Sequence, residues 1–255
     1  MGERTSYTPG TFSWAELATS DAEDAKRFYS ALFGWDYDDN PIGDGMVYSM
    51  ARREGRNVAA LYRSDQPPHW NCYVTVESAD DAAVRAADAG GSVLQEPFDV
   101  MDVGRMAVIA DPAGAALCVW EPRQSIGAEL VNTPGAMTWN DLVTNDPKTA
   151  IRFYGEVFGW AVNEIPDAGG YHVIQNGERS NGGMMPIDPN GPNAETPPTW
   201  MPYFGHEDVE RALGEAEALG GRVFAGPMQM PAGSIAVLGD PQDAVFAIWT
   251  GRYED

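Results

Sequence analysis

The chain is expected to fold as an α+β protein of four strand–helix–three-strand modules. These would pair into two tandem domains, each a cupped mixed sheet with helices outside. Three features lead there. The segment PGTFSWAELATSDAEDAKRFYSALFGW, Pro9 to Trp35, returns as PGAMTWNDLVTNDPKTAIRFYGEVFGW, Pro134 to Trp160, at an offset of 125 residues. Within each copy the order strand, helix, three strands occurs twice. The later landmarks keep that order: Pro68-His69-Trp70 answers Pro198-Thr199-Trp200, Gly90-Gly91 answers Gly220-Gly221, and Asp111-Pro112 answers Asp240-Pro241. The domains are placed at residues 9–123 and 134–252, joined by a polar linker at 124–133.

The first helix of each copy is the clearest element. Ala25, Phe28, Tyr29, Leu32 and Phe33 recur at i, i+3, i+4, i+7 and i+8, as do Ala150, Phe153, Tyr154, Val157 and Phe158. That spacing is one buried helix face. Asp21 and Asp146 stand where N-caps belong, Pro147 suits the first helical position, and Gly34 and Gly159 suit the stop. A second helix is expected near 80–89 and near 208–219, each closed by a Gly-Gly pair. Short runs such as MVYSM, NVAALY, MAVIA and AALCVW, set between turn residues, predict the strands.

The net charge of -22 argues against nucleic acid and anionic membranes, both of which favour basic surfaces. It would draw in a cationic ligand, or simply keep the protein soluble. No apolar run is long enough to span a bilayer, and the start MGERTSYTPG has no signal region, so the cytoplasm is the expected location. Cys72 and Cys118 lie in apolar strands and read as reduced packing residues. Arginine far outnumbers lysine, which occurs only at Lys26 and Lys148; with abundant Ala and Gly this suggests a GC-rich bacterial genome.

Taken together, WxxL at Trp14 and Trp139, SD or ND, FYxxxFGW, the Gly-Gly pair and DPAGAALCVWEP from Asp111 resemble the vicinal oxygen chelate superfamily. Glyoxalase I, bleomycin-resistance proteins and extradiol dioxygenases belong to it. The likeness is greatest to its tandem two-domain actinobacterial members and runs from Pro9 to Arg252. In metal-using members, strands one, four, five and eight supply His and Glu ligands to a divalent ion. Carried over here, the first-strand position falls on Trp14 and Trp139, the fifth-strand position on Asn71 and Met201, and the eighth-strand position on Cys118 and Ala247. The fourth strands, NVAALY and NGGMMP, offer no His or carboxylate. His69 shares a strand face with Asn71 but has no second ligand beside it. The resemblance therefore implies no metal and no other cofactor.

Strand alternation then names the side chains that share each cup. In the first these are Phe12, Trp14 and Glu16, Asn71, Tyr73 and Thr75, Cys118 and Trp120. In the second they are Met137, Trp139 and Asp141, Met201 and Tyr203, Ala247 and Trp249. Aromatic walls with few polar anchors suit an organic ligand, and a carboxylate beside aromatic faces suits a cation. The same residues could instead fill the sheet face without a cavity. Three functions are compatible with this set. The first is sequestration of, or resistance to, an aromatic or cationic compound, as the bleomycin-resistance likeness implies. The second is metal-free lyase or isomerase chemistry with Glu16 or Asp141 as general base. The third is a metal-dependent glyoxalase-type reaction, for which the ligands are missing. Relatives that pair into dimers suggest either a monomer acting as an internal pseudo-dimer or a homodimer.

Overall fold

The structure, a computed structural model, describes residues 2–43, 45–191 and 194–253. The first half runs β1 (Phe12–Thr19), α1 (Ala22–Phe33), β2 (Asp36–Gly43), β3 (Met46–Arg53), β4 (Arg56–Arg63), β5 (His69–Thr75), α2 (Ala79–Asp88), β6 (Ser92–Val100), β7 (Gly104–Ala110) and β8 (Ala116–Pro122). The second half repeats it with β9 (Met137–Thr144), α3 (Pro147–Phe158), β10 (Ala161–Glu164), β11 (His172–Asn176), β12 (Arg179–Pro186), β13 (Thr199–Gly205), α4 (Val209–Ala218), β14 (Arg222–Met230), β15 (Gly233–Gly239) and β16 (Val245–Gly251).

Each half forms one eight-stranded mixed sheet. The order is β2-β3-β4-β1-β5-β8-β7-β6 in the first and β10-β11-β12-β9-β13-β16-β15-β14 in the second. The modules of a domain join through the antiparallel pair β1–β5, or β9–β13, while β1–β4 and β5–β8 are parallel. The four-module α+β architecture read from the sequence is thus the observed one.

The helices start and stop for local reasons. Asp21 accepts from the Asp24 N–H at 3.0 Å and Asp146 from the Thr149 N–H at 3.1 Å, each satisfying a donor that the helix cannot pair. Gly34 (φ 69°) and Gly159 (φ 75°) end α1 and α3 in the left-handed conformation that glycine adopts at least cost.

The helices lie outside the cups but inside the molecule. Tyr29 of α1 packs edge-on against Phe246 of β16 at 5.5 Å, and Trp70 of β5 lies 5.0 Å from Phe204 of β13. Helix α1 contacts α4, and α2 contacts α3. One continuous apolar core therefore spans both domains; in the first it reaches Trp14, Tyr73, Cys118 and Trp120 on the cup face, whereas Met201, Tyr203 and Ala247 of the second cup form a separate cluster. The stretch 124–133 is not a loose tether: Ala128, Leu130 and Val131 are buried, and the Val131 N–H donates to the Gly2 carbonyl at 2.8 Å. Among the described residues no helix is long and apolar enough to cross a membrane.

Candidate functional site

Register decides which side chains share a cup. Glu16 lies opposite Ala60 on β4 and Asn71 on β5; Trp14 lies opposite Tyr73, which lies opposite Cys118 on β8. Thr75 follows, opposite Trp120, which faces Met106 on β7. Facing residues on neighbouring strands point to the same side of a sheet. In the second domain Asp141 lies opposite Gly183 and Met201, Trp139 opposite Tyr203, and Tyr203 opposite Ala247; Trp249 completes the set opposite Gly205. The sequence-derived cup is therefore assembled, with two exceptions.

Phe12 and Met137 are on the other face. A register shift between Phe12 and Trp14 adds one residue to β1 against β5, and the β9–β13 pair has the same irregularity, so Met137 faces Phe204 while Trp139 faces Tyr203. Simple alternation fails across such a bulge, because the extra residue inverts everything beyond it. Phe12 packs instead at a tilt against Trp200 at 5.0 Å and Trp160 at 5.5 Å, and Met137 also joins the interdomain core.

At the centre of each cup is a buried carboxylate ringed by aromatic donors. Glu16, 8% exposed, accepts from the hydroxyls of Tyr48 at 2.8 Å and Tyr73 at 3.0 Å, and the Asn71 amide stands at 3.5 Å. The Trp14 indole N–H donates to the Tyr48 oxygen at 3.2 Å. Asp141, 2% exposed, accepts from Tyr203 at 2.5 Å, Tyr171 at 2.8 Å and the Trp139 indole at 2.9 Å. The Trp139 N–H also reaches the Tyr171 oxygen at 3.0 Å. The second cup thus repeats the carboxyl–tyrosine–tyrosine–tryptophan cluster of the first.

Tyr48 and Tyr171 were absent from the sequence-derived set. Tyr48 pairs with Tyr62, two residues beyond Ala60 on β4, which places it beside Glu16. Tyr171 precedes β11 directly and holds the matching position beside Asp141. Alternation within MVYSM, taken with the β1–β4–β3 pairing, places Tyr48 on the Glu16 face.

Burial pushes the carboxyls of Glu16 and Asp141 above their usual range, and the hydroxyl donors around them only partly offset the loss of water. Burial likewise raises Tyr48, Tyr73 and Tyr203, with the neighbouring carboxylates adding to it, so these hydroxyls remain donors at neutral pH. Cys118, buried and unpaired, is also pushed up by burial and is no thiolate nucleophile.

The residues present do not suit a metal ion of the family's type. The positions that the resemblance assigns to metal ligands hold Trp14, Asn71 and Cys118 in one domain and Trp139, Met201 and Ala247 in the other. Three donors already converge on each carboxylate. Among the described residues no three His, Cys, Asp or Glu side chains come together as ligands. His69 binds the Pro67 carbonyl at 2.8 Å, and His206 accepts from the Asp208 N–H at 3.1 Å. Two clefts at the domain junction flank Arg53, which donates to the Phe33 carbonyl and closes the end of α1; Glu3, Glu54 and Glu207 line them.

Known proteins fit this description. Residues 14–120 match the glyoxalase-like domain, and residues 126–248 match the glyoxalase/bleomycin resistance protein/dioxygenase superfamily. The chain is 41% identical to "Putative glyoxylase CFP32" of Mycobacterium tuberculosis, over 97% of each chain. It is 32% identical to "Anthracycline biosynthesis protein DnrV" of Streptomyces peucetius, over 96% of this chain and 94% of that one. The fold is that of the Mn(II)-bound glyoxalase from Novosphingobium aromaticivorans (TM-score 0.68, 15% identity, 98% and 83% coverage). It is also that of the 2,3-dioxygenase LapB from Pseudomonas (TM-score 0.69, 15% identity, 98% and 95% coverage). By sequence and by architecture, the chain belongs to the glyoxalase/bleomycin resistance protein/dioxygenase superfamily, as a tandem two-domain member.

Proposed function

We propose that the protein binds a small aromatic organic molecule in its cups and shields it from water and other reactants, without a metal or other cofactor. The observation that carries this is the twice-built cluster: Glu16 with Tyr48, Tyr73 and Trp14, and Asp141 with Tyr171, Tyr203 and Trp139. Trp120 and Trp249 extend an aromatic wall from each cluster. Flat π-faces around one anionic anchor give area for stacking and a single orienting contact. The carboxylates and the charge of -22 also favour a ligand with an ammonium group.

The names of the relatives support an aromatic ligand from one side. Anthracyclines are fused-ring aromatics, and "Anthracycline biosynthesis protein" is the name of a relative matched over nearly its whole length. Holding such a compound in the cytoplasm would confer resistance to it. The shared core suits a chain that acts as an internal pseudo-dimer, whether as a monomer or within a homodimer. Titration with an anthracycline aglycone should quench tryptophan fluorescence, saturate at no more than two molecules per chain, and return the compound unchanged after denaturation. Conversion of the compound, or no saturable quenching, would reject sequestration.

A second reading rests on the burial of Glu16 and Asp141. A carboxylate kept from water with a raised pKa is the general base that proton abstraction from carbon requires. In that case turnover persists in EDTA and falls by roughly 100-fold or more in Glu16→Gln or Asp141→Asn.

A further inference from the structure

In the second cup, among the described residues, every hydrogen that the side chains around Asp141 could donate is already committed. Tyr203 gives its proton to Oδ2 of Asp141, while Tyr171 and Trp139 give theirs to Oδ1. Farther along the wall, the Trp249 indole N–H goes to the Arg252 carbonyl at 3.1 Å. Met201, Ala247, Ile235 and Val237 supply apolar neighbours, and the Tyr253 hydroxyl beside Gly205 is directed at the His206 carbonyl at 3.5 Å. Among the described side chains this leaves a guest lone pairs: one on Asp141 Oδ2, which accepts a single bond, and those of the tyrosine oxygens.

The wall beyond is apolar up to its rim. Met228, 38% exposed on the edge strand β14, faces Ile235, which faces Trp249. A molecule lying along this row meets sulfur and ring carbon at the mouth and oxygen acceptors at the floor.

The first cup is different at two matching places. Where the second has Gly205 opposite Trp249, the first has Thr75 opposite Trp120, and the Thr75 hydroxyl is buried without a partner. Where the second has Met185, the first has Tyr62, whose hydroxyl can donate as well as accept. The first cup can therefore donate to a guest.

We propose that the second cup selects an apolar ring system whose polar group is a hydrogen-bond donor, a phenolic hydroxyl or an amine, and discriminates against guests that can only accept. A carbonyl or ether oxygen brought to this floor would lose water and meet no donor, which is costly in a dry site. An O–H or N–H would gain a charge-assisted bond to Asp141. The proposal rests on the reading that the cups hold aromatic molecules, and its test separates the two.

The probes are 2-naphthol and 2-methoxynaphthalene, alike in shape but differing in the donor. Protein labelled with 13C in the methionine methyl groups reports each cup separately, through Met185, Met201 and Met228 in the second and Met50 and Met106 in the first. The expected result is that 2-naphthol shifts the Met185 and Met201 methyls and binds there roughly tenfold or more tightly than its methyl ether. The first cup should show a smaller preference. Equal binding of both probes in the second cup would overturn the donor rule and leave aromatic binding standing. No shift of any cup methyl by either probe would overturn aromatic binding, and the donor rule with it.

Discussion

The hydroxyl of Tyr29, on α1 of the first domain, donates to Oδ2 of Asp240 in the second at 3.0 Å, and the Trp70 indole donates to the same hydroxyl oxygen at 3.2 Å. The mirror arrangement joins Tyr154 to Asp111 at 3.3 Å, with Trp200 donating at 2.8 Å. Each Asp opens the DP turn before the last strand of its domain, where its Oδ1 also accepts two backbone N–H groups. Each domain thus completes a buried hydrogen-bond cluster of the other.

Removing one of these hydroxyls should therefore destabilise both domains together. Tyr29→Phe leaves Asp240 Oδ2 and the Trp70 N–H unpaired in a dry core, a loss of about 1–3 kcal/mol. Urea denaturation followed by fluorescence should keep a single transition at a lower midpoint. Two separated transitions would show that the domains fold independently.

Stability should rise as the pH falls from neutral toward the carboxyl range. Burial raises the folded-state pKa of Glu16, Asp111, Asp141 and Asp240, so the native state holds their protons more tightly than the unfolded chain. Ionising them opposes folding, and that penalty is relieved as pH drops through the raised values, down to the unfolded values of about 3.9–4.3. Lower still, carboxylates held below their usual range dominate: hydrogen bonds from Lys26 hold Asp39, from Arg105 hold Asp80 and Asp99, and from Thr149 hold Asp146. Their contribution is lost as pH falls through those depressed values. Melting temperature against pH should pass through a maximum on the acidic side of neutral; a steady fall from pH 7 downward would contradict this account.

Gly183→Ala should disable the second cup alone. A β-carbon at Gly183 would overlap the Tyr171 hydroxyl and Asp141 Oδ1, so the cluster has to move. The first cup has Ala60 at the matching place beside the longer Glu16. Overpacking of this kind costs about 1–3 kcal/mol of stability. Binding measured by calorimetry should drop by one site per chain, with first-cup methionine shifts unchanged.

Two ligand sites of unequal affinity are expected in the intact protein. The first cup carries Tyr62, Asn71 and Cys118 where the second carries Met185, Met201 and Ala247. Methionine adapts its shape and makes favourable contacts with rings, so the second cup should accept bulkier aromatics. Met201→Asn should narrow that tolerance in a competition series of one-, two- and three-ring phenols, and an unchanged ranking would remove the argument.

Much of this was legible in the residues alone, since helix faces and caps are written in spacing. The helical repeats at Phe28 and Phe153, the aspartate caps and the glycine stops all fall where the sequence put them. Glu16, Asp141, Tyr73 and Tyr203 could be placed on one face because β1 and β5 alternate regularly over those residues. Phe12 and Met137 could not, because a bulge leaves no mark in Phe12-Ser13-Trp14 or Met137-Thr138-Trp139, which alternate as a regular strand does. Tyr48 comes from a strand two positions away in the sheet and Tyr171 from the residue before the matching strand, and that placement is set by topology rather than by local pattern. The interdomain bonds of Tyr29 and Tyr154 were hidden for a related reason: a buried helix face does not say which sheet covers it.

The tryptophans that close the FGW motifs make the arrangement reciprocal, Trp35 donating to the Gly135 carbonyl and Trp160 to the Gly10 carbonyl, each at 2.7 Å. Following duplication, neither copy could drift freely along this seam, because a change in one has to be matched by its sibling. The hollow sides carry no such mutual obligation. There the halves differ, Tyr62, Asn71 and Cys118 of the first standing where the second has Met185, Met201 and Ala247.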